Sequence, residues 1–265
     1  MKRHQIDGVA YCTFELLAPY GGELVHAVTT RHGGVSTGSY RSLNVSHGLG
    51  DDPVAVEENL RRACRALGLC REDLVSPNQR HTANVRRVSR ADCGQVVGSC
   101  DGLLTDAYRV PVLLRYADCA PVLIYDPVHR ALALVHSGWR GTVQGVVRAA
   151  LAAMVREFGS RPSDLVAAVG PSIGPCCYEV GGEVVDAVRA VFDRSDSLLP
   201  IDGGGRRRFD LWAANRRWLV DGGVRQIEVG GVCTACRTDE FYSHRAEAGK
   251  TGHFAAMMML QGRPL

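Results

Sequence analysis

Ala117-Asp118-Cys119-Ala120-Pro121-Val122-Leu123-Ile124-Tyr125-Asp126-Pro127-Val128-His129-Arg130-Ala131-Leu132-Ala133-Leu134-Val135-His136 is the stretch on which the fold turns. It holds two apolar runs, Pro121–Tyr125 and Ala131–Val135, too short for helices and rich in strand formers. Asp126-Pro127-Val128-His129-Arg130 separates them, and Asp-Pro is a turn signal. The stretch therefore reads as an antiparallel hairpin. With the loop set at Pro127–Arg130, Asp126 faces Ala131, Pro121 faces His136 and Cys119 faces Gly138. Opposed residues, and residues two apart, project on the same side of a hairpin. Cys119 and His136 then become diagonal neighbours about 7–8 Å apart at the backbone, close enough for their side chains to meet at one ion. A slip of one residue would turn one of them away.

Working outward, Pro111–Tyr116 is a third buried strand, and Leu24–Thr30 is a strand that ends at the Gly-rich loop Arg31-His32-Gly33-Gly34-Val35-Ser36. Asp51-Asp52-Pro53 starts a helix that runs through Leu60, Cys64 and Leu67 to Gly68, because Asp caps and Pro is tolerated in a first turn. The polar turn Asn78–Asn84 precedes a strand at Val85–Val88. Past the hairpin, Val143–Phe158 reads as an apolar helix, Leu165–Val169 as a strand, Val180–Phe192 and Phe209–Val220 as helices, and Arg225–Val229 and Phe254–Leu260 as late strands. No internal repeat or low-complexity segment interrupts the series. Gly203-Gly204-Gly205 before Arg206-Arg207-Arg208 is the best candidate for a mobile surface loop. Strands dominate the middle and helices flank them. The expected fold is α+β: one domain over residues 1–265, a sandwich of mixed β-sheets flanked by helices.

Composition narrows the function classes. A chain of 265 residues can bury a substantial core without staples. Hydrophobic residues at 46% and charged residues at 22% are ordinary for a globular protein, and a net charge of +3 is too small to argue for nucleic acid or a membrane surface as partner. No run approaches the roughly 18 apolar residues that span a bilayer. Met1-Lys2-Arg3-His4 leads into no apolar signal region, so a cytoplasmic, reducing setting is expected and the ten Cys read as thiols. The basic residues are mostly Arg, which suits bidentate capture of phosphate or carboxylate. A monomer acting on a small molecule is the simplest expectation.

Cys119 and His136, with one more His, would make a ligand set that suits Zn²⁺ and leaves the fourth position open. His81, in Asn78-Gln79-Arg80-His81-Thr82-Ala83-Asn84, is a candidate, but nothing in spacing brings it to the pair, and a single His in a polar loop is ordinarily just exposed. Cys233-Thr234-Ala235-Cys236 is a lone C-x-x-C without a partner pair and reads as packing rather than a second zinc site. Met257-Met258-Met259 reads as strand core, because neighbours on a strand point to alternate faces.

Several segments together resemble one family. They are Thr29-Thr30-Arg31-His32-Gly33-Gly34, Gln79-Arg80-His81, Ala117-Asp118-Cys119-Ala120-Pro121-Val122, His136-Ser137-Gly138-Trp139-Arg140-Gly141-Thr142, Gly170-Pro171-Ser172-Ile173-Gly174-Pro175-Cys176-Cys177-Tyr178-Glu179-Val180, Cys233-Thr234 with Phe241-Tyr242-Ser243-His244-Arg245, and Gly249-Lys250-Thr251-Gly252. This pattern, spanning nearly the whole chain, is similar to the YfiH / laccase-domain family, also called the multicopper polyphenol oxidase or purine nucleoside phosphorylase family. The resemblance implies a Zn²⁺ site at His81, Cys119 and His136, with Cu²⁺ as the other metal associated with the family. It implies an α+β sandwich related to cysteine hydrolases of the cytotoxic necrotizing factor type. The implied activities are phosphorolysis of adenosine, inosine, guanosine and methylthioadenosine, and deamination of adenosine. Some members are described as peptidoglycan-editing factors acting on a muramyl nucleotide precursor, and older assignments describe copper-dependent polyphenol oxidases. This chain departs from the family pattern at Arg80 (usually apolar), Thr82 (usually Gly) and Ser137 (usually Ala). Arg80 is expected to add a cation near the site.

Other residues take roles within that frame. Arg140, just before a predicted helix, suits phosphate or another anion, against a bland alternative of stacking on Trp139. Arg31 and Arg245 could serve the same anion, and their case leans on the resemblance. Cys177, preceding a helix, is a candidate for lining the site, against simple packing. Asp118 could orient a ligand or move a proton, or merely cap a turn. The leading expectation is zinc-assisted nucleoside chemistry, with Arg31, Arg140 and Arg245 holding phosphate for attack at the ribose carbon and Asp118 shuttling a proton in deamination. The rival is a cysteine hydrolase with Cys119 as nucleophile and His136 as its base. Copper-dependent phenol oxidation needs more soft and imidazole ligands than nine scattered His supply. A non-enzymatic metal-binding module would need a fourth protein ligand, since an open position means catalysis.

Overall fold

The computed structural model describes residues 1–262, so the last three residues of the expected 1–265 domain lie outside the described residues. In chain order the elements are β1 (Lys2–Ile6), β2 (Val9–Thr13), β3 (Leu24–Thr29), α1 (Pro53–Ala66), β4 (Ser76–Asn78), β5 (Val85–Arg87), β6 (Val96–Ser99), β7 (Gly102–Thr105), β8 (Val112–Tyr116), β9 (Ala120–Asp126) and β10 (Ala131–Ser137). They continue with α2 (Trp139–Gln144), α3 (Val146–Phe158), β11 (Val166–Val169), α4 (Gly182–Val191), α5 (Leu211–Asp221), β12 (Gln226–Val229) and β13 (Phe254–Leu260). One antiparallel sheet runs β1-β2-β3-β13-β8, and a mixed sheet runs β12-β11-β9-β10-β7-β5. β4 and β6 form a small parallel pair.

The hairpin at the centre has the register its sequence dictates. Asp126 pairs with Ala131 and Pro121 with His136, and the ladder closes at Ala120 and Ser137. Its turn is held by the buried Asp126 carboxylate, which accepts from the Val128 and His129 backbone N–H groups at 2.8 and 3.0 Å. Side-chain alternation then assigns each strand residue to a layer. Leu123, Tyr125, Leu132 and Leu134 pack between the two sheets against Leu114, Phe254, Ala256 and Met258. Val122, Ile124, Ala133 and Val135 face the other way, onto α3 and α5 through Val147, Leu151, Ala214 and Leu219. On the far side of the antiparallel sheet, Leu113, Ala255 and Met257 meet Val56, Leu60 and Cys64 of α1. The result is a mixed α/β stack in four layers, helix–sheet–sheet–helix, as expected of a sandwich flanked by helices. Met257 and Met258 are both fully buried on opposite faces, so the Met run is strand core.

One local expectation is corrected. The apolar run from Val143 to Phe158 is not one helix. Gly145 sits at φ 79°, the left-handed region that glycine enters without a Cβ clash, and ends α2 before α3 begins. The Gly203–Arg208 segment is a tight turn organised by Asp202, whose carboxylate accepts from Gly204 N, Arg206 N, Arg206 Nε and Arg208 Nη2 at 2.9 to 3.1 Å. The two Asp caps behave as read: Asp52 accepts from Val54 N and Asp210 from Ala213 N. Among the described residues, no helix is long and apolar enough to cross a membrane. All ten cysteines are free thiols.

Candidate metal centre and the hollow it faces

The end of the hairpin places Cys119 just before β9 and His136 near the end of β10. The third donor arrives through one residue that sequence reasoning missed, Asp101. This carboxylate, with no exposed surface, sits between Cys100 and the start of β7, next to β10 in the mixed sheet. Its Oδ1 accepts from His136 Nδ1 and from His81 N, each at 2.9 Å. Its Oδ2 accepts from Arg80 N at 3.1 Å, Thr82 N at 2.8 Å and Thr82 Oγ1 at 2.9 Å. One carboxylate thus fixes the ring orientation of His136 and folds the Arg80–Thr82 turn onto it. The turn puts His81 at φ 59°, a conformation uncommon outside glycine that persists only where surrounding contacts over-determine it. Gln79, next in the same segment, is tied to β8 by a reciprocal pair of 2.8 Å bonds with the Arg115 backbone.

The three donors converge. Ligand atoms of His81, Cys119 and His136 all lie within 4.8 Å of one another. Cys119 Sγ is 3.8 Å from His81 Nε2, against about 3.6 Å for sulfur and nitrogen sharing a tetrahedral Zn²⁺ at ordinary bond lengths. The His81 and His136 rings meet edge to face with centroids 4.9 Å apart. Gly138 leaves the room they need: a Cβ there would lie 2.6 Å from Cys119 Sγ and 3.2 Å from His81 Cδ2. This group has no fourth protein donor among the described residues. Three ligands with an open position, and a carboxylate behind one His, is the pattern of a catalytic zinc site with its supporting hydrogen bond.

The electrostatics run the same way. Burial alone would push the Cys119 thiol up, but His136 and His81 overcome it and bring it down to about 6. Burial would lower His136, yet Cys119 and Asp101 raise it to about 9. Asp101 is itself held well below the usual carboxylate range: burial opposes this, and the His136 and Thr82 hydrogen bonds outweigh it. Each group thus favours the charged form of the other, the imidazoles drawing the proton from Cys119 and Cys119 with Asp101 holding the proton on His136.

The donors face a hollow of about 730 Å³, within the range typical of small-molecule sites. Trp139, Ile173, Tyr178 and Leu211 supply apolar walls, and Arg115, Arg140 and Arg245 supply cations. His47, His244 and His253 also line it, so five of the nine His gather here and are not scattered. Only His81 and His136 belong to the close donor group. His253 is buried to the point of being pushed down to about 4, and its Nδ1 has no partner among the described residues.

The other sequence-selected residues divide. Arg140 and Arg245 line the hollow. Arg140 stacks on Trp139 at 4.1 Å, and Arg245 lies over Tyr178 at 5.3 Å. Asp118, at φ 85°, lines it too, but both its oxygens are engaged: Oδ1 accepts from Thr234 Oγ1 and Oδ2 from Arg245 N, each at 2.7 Å. Arg31 is not in the hollow. Its guanidinium stacks on Tyr242 and donates to Thr238 O and Glu247 Oε1, beside a separate surface depression. Cys177 does not line the hollow either; its Sγ turns to Cys236 Sγ at 3.3 Å. Arg80 is exposed, with its side chain outside the hollow, whereas Thr82 adds a hydroxyl bond to Asp101. Ser137 donates to Asn215 Oδ1 at 2.6 Å and ties β10 to α5.

A family model described as multi-copper polyphenol oxidoreductase laccase matches residues 25–261. A purine nucleoside phosphorylase of Bacteroides thetaiotaomicron is 35% identical over 93% of this chain and 95% of its own length. Purine nucleoside phosphorylase YlmD of Geobacillus stearothermophilus is 37% identical over 91% of each chain, and a relative named adenosine deaminase RL5, from an unknown prokaryote, is 32% identical over 84% of this chain and 89% of its own. The crystal structure of Bacillus licheniformis hypothetical protein YfiH superposes with a TM-score of 0.91 at 30% identity, covering 98% of this chain and 99% of that one.

Proposed function

We propose that this chain, which belongs to the multi-copper polyphenol oxidoreductase laccase family, is a zinc-dependent purine nucleoside phosphorylase that also deaminates adenosine. The observation that carries the reading is the three-donor group His81, Cys119 and His136, open on one side toward a hollow that pairs aromatic walls with guanidinium groups. The names of the relatives support an enzyme of this class, and the lack of a fourth ligand among the described residues argues against a closed structural module. The Cys and two His donors with one open position fit Zn²⁺ better than a multicopper centre.

A bound Zn²⁺ would supply a Lewis acid beside the reacting atoms. The chain's own residues do the rest. Asp101, bonded to His136 Nδ1, would hold the other ring nitrogen ready for the cation. Tyr178 and Trp139 offer faces on which a purine can stack. Arg140 and Arg245 hold inorganic phosphate so that one oxygen attacks the ribose carbon while the bond to the purine nitrogen breaks and its electron pair leaves with the base. Adenosine, inosine, guanosine and methylthioadenosine share this bond and form the substrate class. In deamination, water attacks the purine carbon that bears the amine, and the carbon–nitrogen bond breaks as ammonia leaves. Asp118, with both oxygens engaged, acts by fixing the wall of the hollow and the Arg245 loop.

The test is direct. Tag-free, zinc-loaded protein is incubated with inosine and phosphate, and with adenosine. Hypoxanthine and ribose-1-phosphate, and inosine from adenosine, are expected, each abolished by a chelator and restored by zinc. Absence of both products sinks the proposal. The lowered Cys119 thiol supports one rival, a cysteine hydrolase of a muramyl nucleotide precursor with His136 as base, consistent with the expected kinship to cysteine hydrolases. A covalent substrate adduct on Cys119 in metal-free protein would select that rival.

A further inference from the structure

Away from the hollow, the fold makes a second gathering of metal-ligating side chains. The Sγ atoms of Cys176, Cys177, Cys233 and Cys236 all lie within 4.8 Å of one another. Two loops bring them there. The Ser172–Tyr178 loop follows β11, and the Val232–Arg237 loop follows β12, its parallel neighbour in the mixed sheet. The loops continue that neighbourhood through a parallel bridge between Ser172 and Cys233, with Ser172 N donating to Val232 O and Thr234 N to Ser172 O. The C-x-x-C that looked solitary in sequence has its partner pair in the adjacent cysteines of the other loop.

We infer that these four thiols are a tetrathiolate site for one soft d¹⁰ cation, Zn²⁺ or Cu⁺. The spacing fits. Cys236 Sγ is 3.5 Å from Cys176 Sγ and 3.3 Å from Cys177 Sγ, where sulfurs at about 2.3 Å from one tetrahedral Zn²⁺ stand about 3.8 Å apart. These separations exceed the about 2.05 Å of a disulfide. Gly174 N–H points at Cys233 Sγ at 3.2 Å, a donor aimed at a sulfur as thiolate ligands require. Cys233 is buried at the base of the group while Cys176 and Cys236 are exposed, which gives an ion an entry path. Arg208 donates to Cys176 O at 2.6 Å and so ties the backbone of this cysteine to the Asp202 turn.

Four protein ligands close the coordination sphere, so the site is structural. Its position gives it a task. Thr234, between the two cysteines of one loop, grips Asp118, and Ile173, at the start of the other, donates its N–H to Asp118 O at 2.9 Å. A cation clamping the two loops would fix one wall of the hollow beside Cys119.

The experiment separates this site from the first by metal count. Tag-free wild type, grown with zinc and kept reduced, is expected to carry two ions per chain, and Cys236→Ser one. A His81→Ala/His136→Ala variant is also expected to keep one, since it leaves the four thiols intact. In that variant Co²⁺ substitution should give intense thiolate-to-metal absorption, and added zinc should protect four cysteines from a thiol reagent. Growth with copper tells which ion is preferred; one ion of either kind on these cysteines supports the site. The proposal is overturned if the double His variant holds no ion, shows no thiolate-to-Co²⁺ band and gains no protection. A disulfide among the four in protein kept under reductant overturns it as well. Neither outcome depends on nucleoside activity.

Discussion

Asp101→Asn is the sharpest probe of the metal centre. The substitution keeps size and shape but exchanges one acceptor oxygen for an NH₂ group. If NH₂ replaces Oδ2, it faces the N–H groups of Arg80 and Thr82; if it replaces Oδ1, it faces His81 N and His136 Nδ1. Either way at least two donors lose their acceptor. In this partly buried turn each loss costs about 1 kcal/mol, at the low end of the range for unsatisfied groups. In the second orientation His136 keeps Nδ1 unprotonated and Nε2 protonated, the wrong tautomer for binding beside Cys119. Loss of such a supporting carboxylate costs 10- to 100-fold in metal affinity, about 1.4–2.8 kcal/mol. Zinc affinity is read by competition with a chromophoric chelator, and fold integrity by circular dichroism and thermal unfolding. The expected result is a folded protein with a lower thermal midpoint and zinc affinity reduced at least tenfold. Zinc affinity within about twofold of wild type, with an unchanged midpoint, would refute the account of Asp101 as the hub of the site.

Three further outcomes follow from the same site. In metal-free protein Cys119 loses its proton near pH 6 and His136 near pH 9. Between these values a cation binding the pair displaces the His136 proton, so zinc affinity at the hairpin site should rise with pH, level off above pH 9 and fall more steeply below pH 6. Alkylation of Cys119 in the same protein should show a midpoint near pH 6, moved upward in His136→Ala; a midpoint near that of an ordinary thiol would refute the pair. Gly138→Ala has ordinary extended backbone, at φ −78°, but its Cβ would lie 2.6 Å from Cys119 Sγ. It should weaken zinc at least tenfold with little change in the thermal midpoint, checked by chelator competition; retained affinity would mean the sulfur can shift freely.

What the sequence made legible, and what it hid, follows from the range of each interaction. The hairpin is legible because its signals are local: an Asp-Pro turn with apolar runs on each side fixes the register, and the pairs Asp126–Ala131 and Pro121–His136 are those expected. Cys119 and His136 share that register and so could be paired by argument. His81 could not, because what carries it to them is Asp101, a lone acid 20 residues from His81 and 35 from His136 with no pattern around it. Short strands such as β4 and β6 were missed because three or four residues of mixed polarity carry too little periodicity. Cys177 and Cys236 are 59 residues apart and meet only because β11 and β12 run parallel.

Occupancy is the variable that joins the two chemistries proposed for the hairpin site. With a cation bound, the Cys119 sulfur lone pair and the His136 nitrogen facing it would both be committed, and the group would supply a Lewis acid beside the hollow. Without it, the same sulfur is drawn toward the thiolate beside an imidazole that favours its proton, the arrangement of a nucleophile with its base. The two states exclude each other at the level of single atoms. Metal-free protein should therefore be alkylated at Cys119 and lose the capacity for zinc at the hairpin site in the same proportion, while zinc-loaded protein resists the reagent at Cys119 and keeps phosphorolysis. Phosphorolysis that survives full alkylation of Cys119 would place the reaction away from this donor group altogether.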